Sequence, residues 1–240
     1  MIACLVGNAL LTTALWFWTP KALLPLFFNV HELFFFPIVL ASWMVSDVPA
    51  TNEFGPDARR ILAALDDPTM LTRLLRAKHL VLWTLVAPTV ICVATVVGLE
   101  SDRWLTMFFV LAWVLTVPLS SLGLASWVGI IWPYHPLPFR QRAHLALPWT
   151  RKWFRWIVLL VLPYGIVPLF GYLTLGPTLG LWHYAFSRSF RIGGHLLALT
   201  VLVEIPLSVW LWTWSTRYAT VIARRRSVRL RQFLQDPSLG

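Results

Sequence analysis

Charged residues are scarce in this sequence, and acidic residues are the scarcest of them. Asp, Glu, Lys and Arg make up 12% of the 240 residues, about half the share of a soluble domain, and only 10 residues are acidic. Hydrophobic residues reach 58%, with 15 tryptophans and 17 prolines, two residue types that are frequent in membrane proteins. The composition therefore excludes an ordinary soluble domain and favours a chain embedded in a lipid bilayer.

The sequence also lacks the patterns that carry catalytic or metal chemistry. Its two cysteines, Cys4 and Cys92, both lie in apolar runs, which excludes a CxxC pair and disfavours a disulfide. His31-Glu32 begins like a zinc-protease motif, but Phe35 stands where the second histidine is required. The chain has neither a G-x-S-x-G motif nor a Gly-rich loop ending in Gly-Lys-Ser/Thr. We therefore expect no catalysis, no metal and no bound cofactor in this chain.

Long apolar runs predict the fold class. They fall at 2–18, 22–46, 79–99, 104–132, 156–176 and 192–216. Each is long enough to cross about 30 Å of hydrocarbon at a helical rise of about 1.5 Å per residue. We predict an all-α protein, a polytopic transmembrane helical bundle of about six spans within a transmembrane domain at 1–216. The first run has no basic residue before it, so we interpret it as a retained crossing and not as a signal peptide.

The distribution of basic residues predicts the orientation. Of the 20 Lys and Arg residues, sixteen lie in 47–78, 133–155 and 217–240, and four lie in the connections on the opposite side. The positive-inside rule places the three basic segments in the cytoplasm, and six crossings then place both termini there. Because the basic residues flank apolar runs, the net charge of +10 indicates anionic lipid and not nucleic acid. The basic tail, with Arg224, Arg225 and Arg226, contacts either anionic lipid or a partner subunit, and we favour lipid because a basic cluster beside a membrane needs only the surface potential to bind.

Two connections are more than simple turns. In 47–78, Gly55-Pro56-Asp57 and Asp67-Pro68 each predict the start of a short amphipathic helix on the cytoplasmic surface. Apolar residues follow on one face of each helix: Ile61, Leu62 and Leu65, then Leu71, Leu74 and Leu75. These helices either rest on lipid headgroups or dock a cytoplasmic partner. On the outer side, 177–191 is either a re-entrant segment or an aromatic surface loop.

Few ionisable side chains fall within the predicted spans, where each is costly. His31 and Glu32 lie in the second span, and His195 and Glu204 lie in the sixth. They are candidates for lining a translocation path or carrying protons. The alternative is that they pair within the bundle and hold helices together.

Two stretches resemble bacterial ABC-2-type exporter permeases. The first is Asn52-Glu53-Phe54-Gly55-Pro56-Asp57, followed by Arg60-Ile61-Leu62, Pro68 and Leu75-Arg76-Ala77-Lys78. It is similar to an N-x-F-G-x-D segment, short helices, and a leucine-rich turn that ends in Gly-Lys. Ala58 and Ala77 replace two glycines of that pattern. The second stretch, Ser126 to Tyr134 with the basic residues after it, resembles the end of a membrane helix in that family.

The resemblance implies a transport function for the chain. The permease would lie in the bacterial inner membrane and form the translocation path. A separate ATP-binding subunit would bind ATP and Mg²⁺. The family's cytoplasmic loop presses on that subunit, which makes Phe54, Gly55, Asp57 and Arg59 candidate contacts. The chain is half the size of many members, so a second copy or a companion permease is expected, with a homodimer the simplest arrangement.

Two other functions compete with this prediction. An ion-coupled secondary transporter would use Glu32 and Glu204 as proton carriers, although we find no internal repeat to support it. An intramembrane enzyme acting on lipid would use His31-Glu32 or His195, and the missing catalytic motifs make it the weakest alternative.

Overall fold

The computed structural model describes residues 2–19, 36–45, 51–101, 104–133 and 194–236, together with residues 135, 154 and 165. In these ranges every regular element is an α helix, as the sequence predicts. The helices are α1 (Ile2–Trp18), α2 (Phe36–Val45), α3 (Ala58–Ala64), α4 (Pro68–Ser101), α5 (Trp104–Ile131), α6 (Gly194–Arg225) and α7 (Ser227–Gln235). His31, Glu32 and segment 177–191 lie outside the described residues, as does 133–155 apart from positions 133, 135 and 154.

Among the described residues, two helices are long and apolar enough to cross a membrane, judged by length and composition. They are Pro68–Glu100 and Val110–Ile131, and the apolar helices Leu5–Trp18 and Phe36–Val45 are shorter. The prediction of six crossings goes beyond this observation and stays a prediction.

Two hydrophobic clusters hold the described helices together. The first lies where α1, α2, α4 and α5 meet, with Trp113 and Met107 of α5 among its most buried members. Helices α5 and α6 lie close together at Gly123, where an added Cβ would overlap Ser215 Oγ and lie 3.2 Å from the Trp212 carbonyl oxygen. A side chain at this position would require the Ser215 hydroxyl to move and the Trp212 backbone to shift by a few tenths of an ångström.

The second cluster, the end cluster, lies at one end of the bundle. Its buried members are Phe54, Ile61, Ala64, Leu65, Leu71, Leu75, Ile130, Ala219, Ala223, Leu230 and Leu234. These residues belong to α3, the start of α4, the ends of α5 and α6, and α7. Segment 51–78, the end of α5 and residues 217–236 therefore lie together at the same end of the bundle.

The structure differs from the sequence-based prediction in the extent of α4. We predicted a separate short helix at 68–78, but residues 68–101 form one continuous helix. No glycine or proline interrupts residues 69–87, and Ala77 favours continuation by about 1 kcal/mol relative to glycine. At about 1.5 Å per residue α4 is about 50 Å long. Likewise α6 runs through Arg225, so the first part of the basic tail is helical.

The predicted N-cap of α4 is confirmed. Asp67 Oδ1 accepts hydrogen bonds from the backbone N–H of Thr69 at 2.8 Å and of Met70 at 3.3 Å. The Thr69 hydroxyl also donates to it at 2.7 Å. This hydroxyl, followed by the two N–H groups, lowers the pKa of Asp67 below its ordinary value of 3.8.

The cap predicts a dependence of stability on pH. Because the pKa of Asp67 is lowered by folding, its contribution is present above pH 3.8 and is lost as the pH falls through the lower folded value. Asp67→Ala should lower the thermal stability of the purified protein at pH 7, whereas Asp67→Asn, which keeps an acceptor, should retain most of it. The difference between wild type and Asp67→Asn should shrink or reverse on acidification, as followed by circular dichroism. A constant difference between pH 7 and pH 3 would contradict the assignment.

Candidate functional site

Segment 51–57, which precedes α3, is packed into the bundle instead of lying on its surface. Thr51, Asn52 and Glu53 are buried although all three are polar. Asn52 Oδ1 accepts a hydrogen bond from the backbone N–H of Gly55 at 3.2 Å, which closes a local turn. The segment contacts α5 at Gly129, where an added Cβ would lie 2.7 Å from the Thr51 carbonyl oxygen. The absence of a side chain at this position lets the two backbones come together.

Three buried polar side chains meet beneath this segment. His79 Nε2 of α4 lies 2.8 Å from Glu53 Oε1 and 2.8 Å from Ser126 Oγ of α5. The Ser126 hydroxyl in turn donates to Glu53 Oε2 at 3.1 Å. Both carboxylate oxygens of Glu53 are therefore hydrogen-bonded, one to each of two long helices. Buried polar atoms without such partners would cost about 1–3 kcal/mol each.

A fourth side chain determines the tautomer of His79. Trp212 Nε1 of α6 donates a hydrogen bond to His79 Nδ1 at 2.9 Å. The indole N–H is a donor only, so Nδ1 must be the unprotonated nitrogen and Nε2 must carry the hydrogen. His79 is therefore neutral in this arrangement and donates from Nε2 towards Glu53 and Ser126. We call Glu53, His79, Ser126 and Trp212 the polar cluster.

This tautomer decides what the polar cluster can do chemically. A histidine that activates a serine nucleophile must accept the hydroxyl proton, and its other nitrogen must be oriented by an acceptor. Here Nε2 already carries a hydrogen, and Nδ1 faces the donor Trp212. His79 thus provides no base for Ser126, despite a Glu–His–Ser composition like that of a hydrolase. The cluster joins one segment and three helices: 51–57, α4, α5 and α6.

Lys78, the residue before His79 in α4, also attaches segment 51–57 to that helix. Its ammonium group forms an ion pair with Asp57 at 2.7 Å and also donates to the backbone carbonyl of Glu53. Arg76, one turn away from His79, lies over the Trp212 ring at 5.8 Å from its centroid, a cation–π distance. Glu53 and Asp57 of segment 51–57 are thus both bonded to the same stretch of α4.

The structure separates the predicted partner contacts into two groups. Phe54 is 0% exposed within the end cluster, and Gly55 is also buried, so neither offers surface to a partner. We revise the prediction for these two residues: they hold the segment from within. Asp57 is half-buried in its pair with Lys78, and Arg59 is exposed on α3.

Two of the four predicted path-lining residues, His195 and Glu204, lie in a described helix. Glu204 is buried in α6. It precedes Trp212 by eight residues, about 12 Å along the helix, and so belongs to a different level of the bundle. His195 lies in the first turn of α6, while His31 and Glu32 lie outside the described residues. Arg224, Arg225 and Arg226 are exposed at the end of α6 and just after it.

Sequence reasoning missed His79 and Trp212 as site residues. Glu53 and Ser126 had entered only as parts of a resemblance, without a role of their own. The available signal was a histidine at the start of an apolar run, beside a lysine and 26 residues after a glutamate. Within the part of the chain that the structure describes, no group of three His, Cys, Asp or Glu residues could hold a metal ion.

No family model, curated protein or solved structure matches this chain.

The contact at Gly129 gives a test of the packing of segment 51–57. Gly129→Ala should destabilise the protein by about 1–3 kcal/mol, because the new methyl group meets a backbone oxygen that cannot rotate away. Gly7→Ala in α1 is the matched control, since nothing lies within 4 Å of its added Cβ. Gly7→Ala should leave the stability of the protein unchanged or raise it by up to about 1 kcal/mol, because alanine has the higher helix propensity. Equal effects of the two changes on thermal unfolding in detergent would contradict the packing.

Proposed function

We propose that this chain is the membrane-spanning permease subunit of an ATP-driven exporter and works with a separate ATP-binding subunit. The observation that carries the proposal is the attachment of segment 51–57 and α3 to α4, α5 and α6 through the polar cluster. A force applied to α3 from the cytoplasm would reach three long helices at once. This is the mechanical property that a permease needs if its energy source lies on another chain.

A membrane location is supported by the outer faces of the described helices. Only 33% of the most apolar stretch of Pro68–Glu100 is buried, and Leu80, Val81, Val96 and Leu99 are exposed along it. Exposed apolar side chains in such number are stable next to lipid and unfavourable in water. We propose six crossings of the bacterial inner membrane, with the end cluster on the cytoplasmic side, as the basic residues indicate.

The coupling surface on this proposal is the outer face of α3. Arg59 and Arg60 are both exposed there, while Ile61 and Ala64 on the opposite face are buried in the end cluster. Arginine is enriched among the residues that dominate protein interfaces. The inner face thus fixes α3 to the bundle and the outer face remains available for a partner. ATP and Mg²⁺ would be bound by that partner, because this chain has no P-loop.

The translocation path on this proposal includes α6 and the second crossing. Glu204 is buried in an otherwise apolar stretch of α6, and His195, His31 and Glu32 are the other candidates. A second copy of the chain would complete the path as a homodimer. The burial of Glu204 also favours the alternative function, an ion-coupled transporter. In that case Glu204→Gln would abolish transport without any ATP-binding partner.

Co-purification tests the proposed partner. Tagged protein, extracted in a mild detergent from its native membrane, should carry an ATP-binding subunit in stoichiometric amount by quantitative mass spectrometry. Arg59→Ala with Arg60→Ala should reduce the recovered subunit at least tenfold, since two interface arginines are worth about 1–2 kcal/mol each. Phe54→Ala is unsuitable, because loss of a buried phenylalanine costs about 3–5 kcal/mol of stability.

The matched control removes the same charge from another exposed site. Arg226→Ala with Arg229→Ala changes one exposed arginine directly before α7 and one within it, and should leave the subunit bound. If no ATP-binding subunit is recovered with the wild-type chain, the exporter function is refuted and Glu204 becomes the residue to test. Equal losses in the two double variants would contradict the placement of the surface on α3.

A further inference from the structure

A cleft of about 360 Å³ lies between the start of α4 and the end of α6. It is lined by Pro68, Thr220, Val221, Arg224 and Arg225. Its volume falls in the range of about 300–1,000 Å³ that is typical of small-ligand sites. The cleft shares no lining residue with the polar cluster.

The charges at the cleft are not neutralised by the described part of the chain. Neither Arg224 nor Arg225 forms an ion pair among the residues that the structure describes, whereas Arg231 nearby is paired with Asp66. Asp67, next to Pro68, points its Oδ1 at the first turn of α4 as the helix cap. Two exposed guanidinium groups at one cleft favour a phosphate ligand, because their planar donors match phosphate oxygens in pairs.

An exposed aromatic stripe leads along α6 to this cleft. Trp210 stacks on Trp214 with ring centroids 6.0 Å apart, and Trp214 stacks on Tyr218 at 5.6 Å. The three rings are 57%, 43% and 42% exposed. They follow one another at intervals of four residues, and Val221 and Arg225 continue the same helix face. The surface therefore changes from apolar to cationic over about two helical turns.

We propose that this cleft binds the phosphate of one anionic phospholipid, whose acyl chains lie along the stripe formed by Trp210, Trp214 and Tyr218. Arg224 and Arg225 would bind the phosphate of the lipid, and the exposed rings of the stripe would contact its acyl chains. A soluble phosphate ester would use only the first of these. The proposal requires a chain that spans the membrane, but it requires no ATP-binding partner, so either proposal can fail without the other.

A lipid titration tests the site. Detergent-purified protein is titrated with phosphatidylglycerol, and with phosphatidylcholine of the same chains, and bound lipid is counted by native mass spectrometry. Wild type should bind one phosphatidylglycerol at least tenfold more tightly than phosphatidylcholine. Arg224→Gln with Arg225→Gln should weaken that binding about thirty-fold, which corresponds to about 1 kcal/mol for each arginine. If the double variant does not fold, Arg224→Gln alone should weaken binding about fivefold.

Two controls separate this site from general attraction between charges. Arg226→Gln with Arg229→Gln removes the same charge from exposed residues outside the cleft lining and should change the affinity less than threefold. Equal weakening in the two double variants would overturn the proposal in favour of diffuse surface attraction. Full competition by low millimolar glycerol 3-phosphate would also overturn it, because the apolar stripe would then contribute nothing.

Discussion

The described structure depends on the hydrogen bonding of His79. A polar side-chain atom that is buried from bulk solvent, as those of His79 are, needs a hydrogen-bond partner within the protein. His79 meets this requirement in one tautomer only, with Nδ1 accepting from Trp212 and Nε2 donating towards Glu53 and Ser126. Losing the imidazole would remove the partner of Trp212 Nε1 and of Glu53 Oε1, at about 1–3 kcal/mol for each buried group, whereas Ser126 would keep its hydrogen bond to Glu53 Oε2. Segment 51–57, α4, α5 and α6 are therefore held in one relative arrangement.

The other close contacts at this end follow from that arrangement. Gly129 admits the backbone of Thr51, Lys78 holds Asp57, and Phe54 fills the end cluster behind them. Their combined effect is to present α3 with its apolar face inward and Arg59 outward. Because α4 has no proline or glycine between this end and Pro88, a length of about 30 Å, movement of α3 would be transmitted along that part of the bundle. This link between packing and movement is the physical basis of the proposed transport function.

The sequence predicts the features that depend on neighbouring residues and on composition. The helical class and the start of α4 at Asp67-Pro68 follow from apolar run length and capping chemistry, and both are found in the structure. The sequence did not reveal that 68–78 continues into the next helix, because a polar-to-apolar change in composition resembles a boundary even where the backbone does not break. It also did not reveal the polar cluster, whose members at 53, 79, 126 and 212 meet only after the helices pack. For the same reason Phe54 was assigned to a partner surface, although the chain's own end cluster encloses it.

Hydrogen–deuterium exchange of segment 51–57 tests the central claim most directly. In wild-type protein the backbone amides of this segment should exchange as slowly as those in the first turns of α4, since both belong to one cooperative unit. In His79→Leu, the segment should exchange at least tenfold faster, while α2, which lies outside the cluster, should keep its protection. If the segment exchanges within seconds in both proteins, like an unattached loop, then the polar cluster does not hold it, and the proposed route from α3 to the long helices does not exist.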